Sequence, residues 1–207
     1  MMKEIDPNLT SRADAYKLWM NATMPMATLF KTIDVTHLVR YAKRKGMKFN
    51  MLMCYCIGKA AGQIPELWIL PIDGKLMQYD KLAINAIVLN KKGSINSCDI
   101  PFDKDIKEFN KNYLQLTEKV KDSCTNYDLS EHMVIGTSAL VKYELDGVVN
   151  IYSGFNNPFL IWSKYKRYWL RKKLKLSFQF HHVQMDGGQA CGFLDELQEV
   201  IDHIANL

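Results

Sequence analysis

The sequence predicts an α+β fold, with helices covering one face of a largely antiparallel or mixed sheet. Three observations lead there. Strand-like and helix-like stretches alternate along the chain, and hairpin signals such as Asp73-Gly74 and Asp146-Gly147 join several of the strands. Neither G-x-G-x-x-G nor G-x-x-x-x-G-K-[ST] is present, which disfavours a doubly wound nucleotide fold. At 207 residues and 48% hydrophobic content the chain suits one domain, residues 1–207, with ample material for a core. No linker, repeat or low-complexity tract divides it.

Taken in order, Ser11 to Trp19 predicts a helix with Arg12, Tyr16 and Trp19 on one face. Met26 to Ile33 reads as a strand. Asp34 then caps a helix that runs through Lys45 and is ended by Gly46. A second helix, Asn50 to Gln63, buries Leu52, Met53, Cys56, Ile57, Ala60 and Ala61 and stops before Pro65. Trp68 to Leu70 and Lys75 to Tyr79 flank Asp73-Gly74 as a hairpin, and Leu82 to Asn90 predicts another strand. Ile106, Phe109, Tyr113, Leu116 and Val120 form the apolar face of a long helix within Asp103 to Cys124. Strands are expected at Val134 to Val141, Val148 to Tyr152 and Phe159 to Tyr165. Lys173 to Phe180 alternates polar and apolar residues, the period of a strand with one buried face. After Gly187-Gly188 the spacing of Phe193, Leu194, Leu197, Val200, Ile201 and Ile204 turns helical.

Charge and cysteine usage narrow the function classes. The net charge of +5 comes from 27 basic and 22 acidic residues. The basic residues are scattered except between Lys164 and Lys175, which reads as a hairpin with a solvated basic face. One or two of its lysines are available to an anionic cofactor. No nucleic-acid motif accompanies the cluster. Cys54, Cys56, Cys98, Cys124 and Cys191 lack a disulfide-framework spacing, so reduced intracellular thiols are expected. The polar amino terminus and the lack of a membrane-spanning apolar run predict a soluble, cytoplasmic protein.

The chemistry concentrates in Phe178-Gln179-Phe180-His181-His182-Val183-Gln184-Met185-Asp186-Gly187-Gly188, where a strand delivers two histidines and an acid to a short loop. Three readings compete. A histidine pair in a turn is the bland one. A metal site is disfavoured, because adjacent histidines on a strand project in different directions and no His-Cys cluster completes the set. Acid–base catalysis is favoured, since an imidazole titrates near neutral pH and can take a proton from an attacking hydroxyl.

Gln179-Phe180-His181-His182-Val183-Gln184-Met185-Asp186-Gly187 resembles the signature of the chloramphenicol acetyltransferase family, and the likeness extends over nearly the whole chain. Arg12 with Tyr16 is similar to the family's amino-terminal arginine and aromatic residue. Thr137-Ser138-Ala139-Leu140 is similar to its Ser-Ala-Leu strand, and Lys164-Tyr165 sits at the family's spacing before the histidines. The resemblance implies a compact two-layer α/β sandwich, a homotrimer with active sites between subunits, and acetyl-CoA as co-substrate, with no metal. It implies an acyltransferase that acetylates a hydroxyl of chloramphenicol or a similar small acceptor, an antibiotic-resistance activity. His182 is then the general base, and the acceptor oxygen attacks the thioester directly. Ser138 donates to the tetrahedral oxyanion, a contribution of about 3 kcal/mol. Asp186 and Arg12 support the loop, and Lys164 and Tyr165 meet the coenzyme. Trp19, Met26 and Ile161 fall at acceptor-side positions.

The departures from the family bear on the acceptor. Met185 replaces the usual Cys, and Gly188-Gln189 replaces Phe-His. Trp19 stands where a Tyr is usual, and Ile161 stands where a Thr binds a water. Ile161 lacks that polar contact, which weakens transition-state binding without removing the base. Two alternatives follow: the same chemistry on a different small alcohol or amine, or a non-catalytic ligand-binding relative. The dihydrolipoyl acyltransferase catalytic domain shares the histidine loop, but nothing here resembles its lipoyl or subunit-binding segments.

Overall fold

A computed structural model describes residues 2–152 and 154–206. Its strands and helices, in chain order, are β1 (Lys3–Ile5), α1 (Ala13–Trp19), β2 (Met26–Asp34), α2 (Thr36–Lys45), α3 (Phe49–Ala61), β3 (Ile69–Ile72), β4 (Lys75–Gln78), β5 (Leu82–Leu89), β6 (Ile95–Pro101), α4 (Ile106–Ser123), β7 (Met133–Leu140), β8 (Phe159–Ser163), β9 (Lys166–Tyr168), β10 (Arg171–His181) and α5 (Gly187–Asp202). The main sheet runs β2-β10-β8-β7-β5-β6, with β9 paired to β10, and β1-β4-β3 form a small second sheet. The β5–β7 and β7–β8 pairings are parallel and the other pairings antiparallel. The predicted mixed, largely antiparallel sheet is therefore observed.

One face of that sheet is closed by helices. Ile33, Leu160, Trp162, Leu174, Leu176, Phe178 and Phe180 pack there against α3 and α5 side chains such as Leu52, Cys56, Phe193 and Leu197 in one continuous buried cluster. α3 has no polar face, and ten of its thirteen residues are buried. A helix that is apolar all round belongs in an interior, and Cys54 and Cys56 are accordingly core residues whose thiols burial pushes up. All five cysteines are unpaired.

The helix signals hold locally. Asp34 Oδ1 accepts the Thr36 N–H at 2.9 Å, so the carboxylate supplies the start of α2 from two residues ahead. Gly46, at φ +65°, ends α2 in the left-handed region where a side chain would be strained.

One predicted strand is absent. Val148 to Tyr152 is an extended strap lying over the open face of the sheet. Polar side chains of β10 occupy its backbone groups: the Val148 N–H donates to Ser177 Oγ at 2.9 Å, and Gln179 Nε2 donates to the Asn150 carbonyl at 3.0 Å. With those groups engaged by side chains, no ladder forms. The turn before it needs glycine, because a Cβ on Gly147 would stand 2.4 Å from the Phe30 ring. Two short or polar strands were not expected from the sequence, β1 and β6, while β9 forms with β10 the hairpin read between Lys164 and Lys175.

Candidate active site

β10 ends at His181, and the loop to α5 turns on that residue. His181 is buried, and its Nδ1 accepts the Val183 N–H at 3.1 Å. Burial pushes its pKa down to about 4, and the neighbouring His182 charge adds to the shift. His181 is therefore a neutral acceptor that shapes the turn. The His182 N–H donates to the Pro25 carbonyl at 2.8 Å, which leaves the imidazole projecting, 34% exposed.

Arg12 holds the loop from the other side. Its guanidinium is 4% exposed and forms a two-bond fork with Asp186, Nη1 to Oδ2 at 2.7 Å and Nη2 to Oδ1 at 3.0 Å. It also donates to the carbonyl of Val183 at 3.0 Å and to that of His182 at 2.8 Å. The fork holds the Asp186 carboxyl below the usual carboxylate range. His182 Nδ1 lies 3.1 Å from Asp186 Oδ1. The approach lacks hydrogen-bond alignment, so Nδ1 has no directed partner. Asp186 faces Arg12 first, and its contact with the imidazole is an electrostatic one.

Gln189 completes this arrangement. Its Oε1 accepts the Asp186 N–H at 2.8 Å and Arg12 Nη1 at 3.2 Å, while its Nε2 donates to Glu66 at 2.7 Å. Sequence reasoning treated Gln189 as a mere departure and missed Glu66. The signal for Gln189 was present: Asp followed three residues later by Gln ahead of an apolar run is a helix-start signature. Met185 is fully buried in the core.

The remaining site residues fall into two groups. Trp19 stacks on the His182 ring, with centroids 4.9 Å apart and planes 19° from parallel. Met26 sits opposite His181 in the β2–β10 register. Ser138 and Ile161, by contrast, are paired with each other, and Ile161 is paired with Ser177 of β10. His182 lies five residues beyond Ser177, so Ser138 is about 17 Å from it along the strand direction. One copy of the chain does not bring Ser138 and His182 together. The Ser138 hydroxyl makes no hydrogen bond among the described residues.

Lys164 is exposed at the end of β8, on a cavity of about 550 Å³ that Lys166, Lys173 and Lys175 also line. Tyr165 points to the opposite side, where its ring meets Phe49 at 5.4 Å beside a smaller apolar cleft of about 230 Å³. Among the described residues no group of three or more His, Cys, Asp or Glu side chains could hold a metal ion, and no helix is long and apolar enough to cross a membrane.

Comparison with known proteins identifies the family. The chloramphenicol acetyltransferase family pattern matches residues 1–198. Chloramphenicol acetyltransferase 3 of Escherichia coli is 26% identical over 179 residues, 84% of each chain. A solved chloramphenicol acetyltransferase superposes with a TM-score of 0.84 at 19% identity, covering 97% of this chain and all of the other. A probable dihydrolipoamide acetyltransferase from Listeria monocytogenes gives 0.70 at 17% identity, covering 98% of this chain and 95% of its own. The chain belongs to the chloramphenicol acetyltransferase family, whose members are acyltransferases.

Proposed function

We propose that the protein transfers acetyl from acetyl-CoA to a hydroxyl of a small acceptor, with His182 as general base. The observation that carries this reading is the Arg12 clamp. One buried guanidinium fixes Asp186 and the carbonyls of both His182 and Val183, so the imidazole is held while its edge stays accessible. Such pre-positioning is what proton transfer to a fixed base requires. His182 would take the hydroxyl proton as the oxygen attacks the thioester carbonyl, and then return it to the departing thiolate. Ser138 would donate to the oxyanion, and no enzyme-bound acyl group forms.

The separation of Ser138 from His182 within one chain supports a site shared by two copies, in a closed homotrimer of single-domain subunits. Tyr165 would stack on the coenzyme's adenine, and Lys164 would meet a phosphate. A soluble, cytoplasmic enzyme of this kind acting on chloramphenicol would confer resistance to it. Trp19 covering the imidazole and the apolar Ile161 beside Ser138 favour a second reading, a different small alcohol or amine as acceptor.

The test is thiol release from acetyl-CoA with chloramphenicol and a panel of hydroxyl and amine acceptors, alongside His182→Ala. Turnover that depends on His182 is expected, and turnover surviving the substitution overturns the mechanism. Chloramphenicol turned over as well as any panel member removes the second reading.

A further inference from the structure

The tip of the β9–β10 hairpin is built against the preferences of its own backbone. Trp169 holds it at φ +54°, in the left-handed region where so large a residue is strained. Glycine or asparagine would relieve that strain in a turn that only faced water. No packing offsets it, because Trp169 is 94% exposed and its neighbours Leu170 and Tyr168 are exposed too. Arg167 Nε donates to the Trp169 carbonyl at 2.9 Å, which holds the turn and leaves the indole in solvent. Three consecutive large side chains thus protrude at one point, and a strained residue that the fold does not use marks a place where something else does. β10 is eleven residues long, about 36 Å, so this tip lies far from the histidine loop at the strand's other end.

Cations stand behind the tip. Arg167 and Lys172 are directly paired across the hairpin, and the Lys172 N–H donates to Thr36 Oγ1 at 2.7 Å, which ties the hairpin to α2. Arg40 and Lys43 approach from that helix. Burial first, and then the charges of Lys43, Arg40 and Arg167, push the Lys172 ammonium below the usual lysine range. Among the described residues these four side chains form no ion pair, whereas the neighbouring acids are taken, Asp34 by Arg171 and Glu144 by Lys166. An indole, a leucine and a phenol in front of fixed cations match the layers of an anionic bilayer surface, where amphipathic rings settle among headgroups and lysine and arginine meet the phosphates. A protruding leucine has no use against a nucleic acid, and the projecting tip offers no groove to a peptide. We propose that the β9–β10 tip is a docking point for an anionic membrane surface. Trp169 and Leu170 enter the headgroup layer, and Arg167, Lys172, Arg40 and Lys43 meet lipid phosphates. Such binding is peripheral and reversible, and it does not depend on the acetyl-transfer reading.

Flotation of the whole protein with lipid vesicles tests this, comparing equal parts of phosphatidylglycerol and phosphatidylcholine with phosphatidylcholine alone. The protein should float with the mixed vesicles and not with the neutral ones, and added salt should release it. Tryptophan emission should move to the blue on the mixed vesicles, and should not move in Trp169→Gly. Trp169→Gly and Leu170→Ser should each weaken vesicle binding by about tenfold or more, and Arg167→Gln with Lys172→Gln by a similar factor. Trp169→Gly should at the same time raise the Tm, because glycine removes the strain at the turn. Parental flotation in Trp169→Gly overturns the proposal, as does equal flotation with neutral vesicles. A short DNA duplex bound as tightly as the mixed vesicles, with no loss in Trp169→Gly, reduces the surface to charge alone and overturns it. A lower oligomeric mass of Trp169→Gly in light scattering makes the tip a contact between copies of the chain, which overturns it as well.

Discussion

Arg12→Met isolates the clamp, because it keeps the apolar stem and removes every donor. Five donated bonds go: two to Asp186, one to Gln189 and one to each carbonyl of His182 and Val183. The Asp186 side chain is 52% exposed, so water takes over there and the ion-pair part counts for little. The carbonyls decide the magnitude. Val183 is fully buried, and each unsatisfied buried acceptor costs about 1–3 kcal/mol, giving a loss of about 3 kcal/mol in all. For a chain of this length that is a Tm lower by roughly 6–12 °C. Displacing the imidazole by about 1 Å should lower kcat by about a hundredfold. Arg12→Lys restores the charge without the fork and should recover only part of both losses. Acid titration separates the charge from the carbonyls. The folded pKa of Asp186 lies below its usual value of 3.8. Its contribution is therefore complete above that value and is lost as pH falls through the folded pKa, a loss the Met variant should not show. Urea unfolding at pH 7 and at pH 3 measures both effects. An Arg12→Met protein within 1 kcal/mol of the parent and with full kcat would refute the clamp.

Ser138→Ala and His182→Ala, each inactive or nearly so alone, should complement when co-assembled. Random mixing in a closed trimer restores about a quarter of the parental sites, and no recovery would place both residues in one subunit's site. His181 has a folded pKa of about 4 against an ordinary value of 6.5, so its neutral form stabilises the fold above 6.5 and the benefit is lost as pH falls toward 4. His181→Asn keeps an acceptor for Val183 and should flatten unfolding free energy between pH 7 and 4.5. Gly46→Ala should cost about 1 kcal/mol in urea unfolding because of its positive φ. Ile161→Thr should raise chloramphenicol turnover several-fold through one added polar contact, read as kcat at saturating acetyl-CoA.

What was legible in the sequence was local. Asp34 and Gly46 bracket α2 because capping chemistry depends on a few neighbouring residues. Asp73-Gly74 announces its hairpin because both residues must take positive φ, observed at 47° and 76°. β6 escaped because its pattern is polar. Asn96, Ser97 and Asp99 are satisfied by Asn126, Asp128, Asn85 and the Leu129 N–H, partners distant in the chain. The strap at Val148 was misread for the converse reason: its β-branched residues look like a strand, while Ser177 and Gln179 supply the bonds a neighbouring strand would have made. The site residues could be named from their motifs. Their division into a His182 group and a Ser138 group could not, because strand register fixes it and no single segment encodes register.

The clamp also joins the two ends of the chain, since Arg12 grips residues made some 170 positions later. α1 buries none of its own seven residues, and a helix that short does not persist alone in water. During synthesis, then, the clamp cannot close until residues 182–186 have left the ribosome, and before that Tyr16 has the Gly74 carbonyl to donate to. The histidine loop in turn gains its shape only when that helix arrives. In the finished protein the two should open together, with α1 amides and the loop amides exchanging with solvent as one cooperative unit.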